Sequence, residues 1–330
     1  MPKSPPRFVG FTSPEAILRS QLRTSYLAQQ HQVGYWIQAT DEDHEESKDY
    51  PTSSRDEGDT AAPGPEDAKI KSAMDAYLEA VGVSLLPPTA HLEALLDIYF
   101  SSIQPILPIL DQSIILKQYR SGKLSRTLLQ TISIIISKHD DARQHLYLAD
   151  SPTLLAPRIF ARRLFTSVTA ALALNQERDR IVGMQILAIV SLYSEGPSGA
   201  EQASINLAQA VHQAHTFGLH LIQDINKPSD RILARLFWCL WCLDKINALM
   251  NGRPLNMHDR DNAPKFVMSD DDSRTPFRVL FELSKILDRV ASYYRPIMDP
   301  ATTGWEDDFP GFEDVLGDYG DQFDLPTIGE

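Results

Sequence analysis

The sequence predicts an all-α protein, and three observations carry that expectation. From residue 68 to residue 295, apolar side chains recur at helical spacing almost without a break. No stretch sustains the period-2 alternation of a half-buried strand. And the segment RILARLFWCLWCLDKINALMNGRPLNMHDRD, residues 231–261, begins as a helix that must run through a core. Its residues 236–243 are all apolar, which leaves no face for solvent. Crossing a bilayer takes roughly 18 or more apolar residues in a row, and Asp244 and Lys245 stop this run far short.

Composition divides the 330 residues into four parts. Residues 1–40 form a Pro-rich leader with a short helical candidate after Ser13-Pro14-Glu15, where serine suits the N-cap and proline the first turn. Residues 41–67 carry eleven acidic and two basic side chains among Ser, Pro and Gly. Such a segment has too little apolar surface to offset ordering and reads as a disordered linker. Residues 68–295 are the helical body, and residues 296–330 an acidic-aromatic tail with ten acidic and no basic residues. Of the net charge of −13, the linker holds −9 and the tail −10, leaving +6 on the rest. Binding to phosphates depends on positive charge, so this balance argues against direct DNA contact by the isolated chain.

The leader MPKSPPRF lacks the apolar core of a signal peptide, and no window is long enough for a membrane span. Only Cys239 and Cys242 are present, which excludes a disulfide-built secreted fold and suits a reducing compartment.

Along the body, Ile70, Met74, Tyr77, Leu78 and Val81 make a first stripe, and Leu92, Leu95, Leu96, Tyr99, Phe100 and Ile103 a second. Pro105 and Pro108 end that helix, since neither can donate a backbone hydrogen bond. Further stripes run over 111–120, 124–138, 154–174, 178–194, 199–219, 229–250 and 275–294, separated by turn signals. The run 132–136 is apolar enough for a strand, but lying between Leu128 and Lys138 it reads as buried helix.

Candidate chemistry is sparse. Cys239-x-x-Cys242 is half of a four-ligand zinc site, with His212 and His215 as a formal second half. The neighbours Trp238, Leu240, Trp241 and Leu243 favour buried thiols that pack. No nucleophile elbow, phosphate loop, dinucleotide fingerprint or zincin motif is present, so the chain does not read as an enzyme. Arg158, Arg162 and Arg163, with Arg231 and Arg235, read as solvated helix faces or as a surface for an acidic partner, the chain's own linker or tail included.

A buried carboxylate needs a partner, and for Asp244 the nearest in sequence is Arg253, just past a Gly252 stop reinforced by Pro254. In the tail, Trp305, Phe309, Phe312, Leu316 and Phe323 interleave with carboxylates, as in transcription-activation segments. Docking of that segment on the body is the other reading, and the two are compatible.

The residues ARLFWCLWCLDKINALMNGRPLNMHDRD resemble the signature of the fungal-specific transcription factor domain, the middle homology region of zinc binuclear cluster regulators. Arg235, Leu236, Phe237, Trp238, Leu243, Asp244, Gly252, Arg253, Pro254, Asp259 and Asp261 carry the likeness, with Lys245 where arginine is commoner. Residues 207–221, LAQAVHQAHTFGLHL, and 91–110, HLEALLDIYFSSIQPILPIL, resemble two further segments of that family, and the leader FVGFTSP resembles what often precedes it.

The resemblance implies an all-helical regulatory domain in a nuclear transcription regulator or co-regulator. Its partners would be the transcription machinery or coactivators, a DNA-binding protein and a small-molecule effector. The alternative is a stand-alone effector-sensing or interaction module. Zinc is expected only in the family's six-cysteine cluster. This sequence has no cysteine before Cys239, so neither zinc nor DNA binding carries over to any residue here.

Overall fold

Two helices buried on nearly every side set the plan of the molecule. The computed structural model describes residues 7–10, 27–31, 34–37, 65–196, 198–222, 227–259 and 275–293. Nine α-helices follow one another among these residues. They are α1 (Pro65–Ala80), α2 (Thr89–Ser102), α3 (Gln112–Arg120), α4 (Arg126–Ile136) and α5 (Pro157–Ala173). After these come α6 (Arg180–Val190), α7 (Gly199–Thr216), α8 (Pro228–Asn251) and α9 (Pro276–Tyr293).

Local sequence explains where they begin. Asp111, Ser125 and Asp179 each cap a helix by accepting a backbone N–H from its first turn. Helices α5 and α8 start on Pro157 and Pro228, whose missing N–H would have no intrahelical partner there anyway.

Helix α4 touches α2, α5 and α6, and from α6 the packing runs on through α7 and α8 to α9. The run 132–136 is helix, buried apart from the partly exposed Ile135. Helix α6 is buried from Gly183 to Val190. Buried amides tie connections to this centre. Gln130 of α4 donates to the carbonyls of Gly82, Val83 and Leu85 at 2.7–3.2 Å, and Gln185 of α6 donates to Ile109 O at 3.2 Å. Both satisfy carbonyls that no helix serves.

Three findings depart from the expected outline. Helix α1 opens at Pro65, so the last three residues of the expected linker are helical; proline followed by Glu66 and Asp67 suits a helix N-terminus. The stripe on α1 is mostly uncovered: Leu78 is buried against the core, while Ile70 and Tyr77 are exposed. The leader contributes a small antiparallel sheet of β1 (Arg7–Gly10), β2 (Leu27–His31) and β3 (Gly34–Ile37) in the order β1-β3-β2. Strands of four or five residues are too short to show alternation. The sheet meets the body where Phe8 packs edge-on against His220, ring centroids 5.9 Å apart. The helical candidate after Ser13, most of the linker and the tail lie outside the described residues.

Candidate functional site

The distinctive chemistry gathers at the end of α8. On a helix, residues spaced i, i+3, i+7 share one face, and Trp238, Trp241 and Lys245 have that spacing. So do Phe281, Ser284 and Asp288 on α9, and the two stripes meet. Phe281 lies 5.2 Å, centroid to centroid, from both Trp238 and Trp241. Phe237, with no exposed surface, packs edge-on against Trp238.

Lys245 is only 1% exposed. Its ammonium donates to Met257 O at 2.9 Å and pairs with Asp288 at 2.7 Å, with Asp259 at 3.6 Å and the Trp241 ring centroid at 4.9 Å. Trp241 Nε1 donates to Asp259 Oδ1 at 2.8 Å. A lysine this deep is tolerated because opposite charge and a carbonyl replace its water.

Asp244, fully buried, corrects the expected ion pair. Its carboxylate accepts the backbone N–H of Asn256 and of Met257, each at 2.9 Å, and the Asn256 side-chain amide at 2.8 Å. Arg253 is exposed instead. Main-chain donors in a tight loop reach the carboxylate without desolvating a second long charge. Burial pushes the Asp244 carboxyl above its usual range, against these hydrogen bonds and the Lys245 charge. Gly252 ends α8 at φ 61°, ψ 36°, the left-handed stop, and Arg253 N–H then bonds Ala248 O at 2.9 Å. Pro254 follows, exposed. Asp261 lies outside the described residues, as do Trp305, Phe309, Phe312, Leu316 and Phe323.

The two cysteines are fully buried between these helices. Burial pushes the Cys239 thiol well above its usual value, and Cys242 to about 12 although Ser284 hydrogen-bonds it. His215 stands edge-on to His220 at 5.1 Å, while His212 is exposed on the rim of a cleft. Among the described residues no three His, Cys, Asp or Glu side chains gather as a metal site.

The basic groups do not merge into one surface. Arg163 pairs with Asp150, Arg158 and Arg162 are exposed near Tyr193, and Arg231 is exposed on the first turns of α8. Arg235 lines a cleft of 480 Å³ with Gln104 and Asp111. Burial works against the Asp111 carboxylate there. The Ser113 hydroxyl, the Ile114 N–H and the Arg235 charge together hold it below its usual range. A second cleft, of 520 Å³, opens between α5, α6 and α7.

The sequence that builds this site falls within a family match: the model of the fungal specific transcription factor domain matches residues 96–303. The chain belongs to the fungal-specific transcription factor domain family. Curated relatives agree. The domain is 28% identical over 195 residues to Cutinase transcription factor 1 alpha of Fusarium vanettenii, covering 58% of this chain and 21% of that protein. It is 26% identical over 212 residues to Cutinase transcription factor 1 beta of the same fungus, covering 61% and 24%. Transcription factor FBD3 of Gibberella moniliformis matches at 25% over 187 residues, covering 53% and 24%. The chain thus spans about a quarter or less of the length of these relatives. No solved structure gives a match.

Within this fungal transcription factor domain, Phe237, Trp238, Asp244, Gly252 and Asp259, among the residues on which the resemblance was read, build the α8 end, its loop and the α9 contact. Sequence reasoning missed Lys245 and Asp288 as a pair. The available signal was a lysine directly after an apolar run and a carboxylate at matching helical spacing on the last amphipathic stripe.

Proposed function

We propose that this chain is a transcription regulator or co-regulator of the nucleus that works by contact rather than catalysis. Its helical body is the regulatory part, and residues 296–330 supply an activating surface to coactivators. Family membership across residues 96–303 carries the reading, and the relatives named above are transcription factors. The chemistry of the site is consistent with it. Asp244, Lys245, Trp241 and Asp259 are engaged with one another and with the main chain, not poised around a substrate. Zinc-cluster recognition of DNA is assigned to no residue of this sequence, whose first cysteine is Cys239.

The test is to fuse residues 296–330 to a heterologous DNA-binding domain beside a reporter. Activation is expected, and it should fall with Phe309→Ala, Phe312→Ala and Leu316→Ala together. A silent fusion removes the activating role. A second reading, that the body senses a small-molecule effector, is favoured by the 520 Å³ cleft between α5, α6 and α7.

A further inference from the structure

We infer that this cleft is a binding site for a compact organic anion, an acidic group carried on an apolar body; this rests on the effector-sensing reading. Its volume of 520 Å³ falls among small-molecule sites, which run from about 300 to 1,000 Å³. The floor is apolar: Ala171, Leu187 and Phe217 are buried there, beside the backbone of Gly183. The rim is polar and charged, with Arg178, Arg180, Glu177 and His212. An apolar floor with a few polar groups converging from the rim is the usual construction of a ligand site.

Two backbone features at the cleft point the same way. Gly183 lies inside helix α6, where glycine is less favourable than alanine. Packing does not require it. An added Cβ would lie 3.9 Å from Glu177 Cγ and 4.0 Å from Gln213 Oε1, both ordinary contacts. What the missing side chain preserves is the depth of the floor. Asn175, also lining the cleft, is the one non-glycine among the described residues with positive φ, at 48°. Asparagine takes this conformation more readily than most side chains. It turns the chain out of α5, and Asn175, Glu177, Arg178 and Arg180 then form one wall.

The charges available to a ligand can be traced. Glu177 lines the cleft too, but its carboxylate accepts Asp179 N–H at 3.1 Å, and Asp179 in turn caps α6 through Ile181 and Val182. Neither Arg178 nor Arg180 forms an ion pair among the described residues. With Glu177 turned to Asp179 N–H and Asp179 to the first turn of α6, the two arginines are the charged groups left to pair with a ligand, and above an apolar floor they favour an anion carried on an apolar body.

Calorimetric titration of the full chain with 8-anilinonaphthalene-1-sulfonate tests this, with N-phenyl-1-naphthylamine as the same ring body without the sulfonate. The expected result is one saturable site for the sulfonate, with binding at least about tenfold weaker for the neutral analogue. The double substitution Arg178→Gln, Arg180→Gln should weaken the sulfonate by a similar factor and leave the melting temperature unchanged, both side chains being exposed. Gly183→Leu should abolish binding by filling the floor. Since that variant alone puts packing at risk, the arginine pair decides. Sulfonate titrations that superimpose for wild type and arginine variant overturn the site, as does equal binding of the neutral analogue. Reporter output from the same variants keeps the two readings apart. If the arginine and Gly183 variants lose the sulfonate yet regulate as wild type does, effector sensing fails and the site stands.

Discussion

Asp244 and Arg253 give opposite expectations for two charges nine residues apart. Asp244→Ala leaves the main-chain N–H groups of Asn256 and Met257 without their acceptor, that of Met257 in the interior. The expected loss is about 1–3 kcal/mol. Arg253→Ala, at an exposed position, should stay within about 0.5 kcal/mol of wild type. Equal losses in urea unfolding would restore the discarded ion pair. The thiols supply a pH prediction. An unfolded cysteine titrates near about 8.5, whereas folding holds Cys242 at about 12. Above the unfolded value the folded state keeps a proton that the unfolded state gives up. The contribution is therefore complete below that value and is lost as pH rises toward about 12. Melting temperatures should fall on the alkaline side, more shallowly in Cys242→Ala. Ellman's reagent should titrate both cysteines only after denaturation, because both are buried.

At the scale of elements, Gly252 isolates a single backbone effect. A Cβ placed there meets nothing within 4 Å, so Gly252→Ala changes only the strain of a left-handed residue. About 1–2 kcal/mol should be lost, seen as a lower urea midpoint with an unchanged m-value. Helices were the most legible part of this chain. Every stripe from residue 111 onward coincides with a helix, because its apolar residues recur at helical spacing and turn signals separate it from the next. The strands of the leader were not legible, being four or five residues long. The exposed side of α1 was not legible either: periodicity shows that a stripe exists, not what covers it. At the candidate site, the Gly252 stop and the buried Asp244 could be read from sequence. The partners of Asp244 could not, because main-chain N–H groups leave no trace in side-chain identity. Nor could Lys245 with Asp288, whose pairing depends on how two distant helices cross.

Across the whole molecule, α9 completes the core rather than decorating it. A chain ending at residue 274 loses Phe281 and Asp288, leaving Trp238 and Trp241 uncovered and a buried ammonium without its nearest carboxylate. Breaking such a pair costs about 3–5 kcal/mol by itself, so this truncation should lose cooperative unfolding in a calorimetric scan. A chain ending at residue 295 keeps all of those contacts and should melt within about 2 °C of the full chain. One consequence of Lys245 concerns motion. Its ammonium is shared by the Met257 carbonyl of the loop and the Asp288 carboxylate of α9, so departure of either leaves the charge half-solvated in an apolar interior. Loop and α9 are therefore one latch that opens all at once. Native-state hydrogen exchange should assign the amides of 255–257 and 278–289 a common opening free energy, below that of α4. In Lys245→Met the two segments should exchange independently, showing that a single cation makes two pieces of structure behave as one.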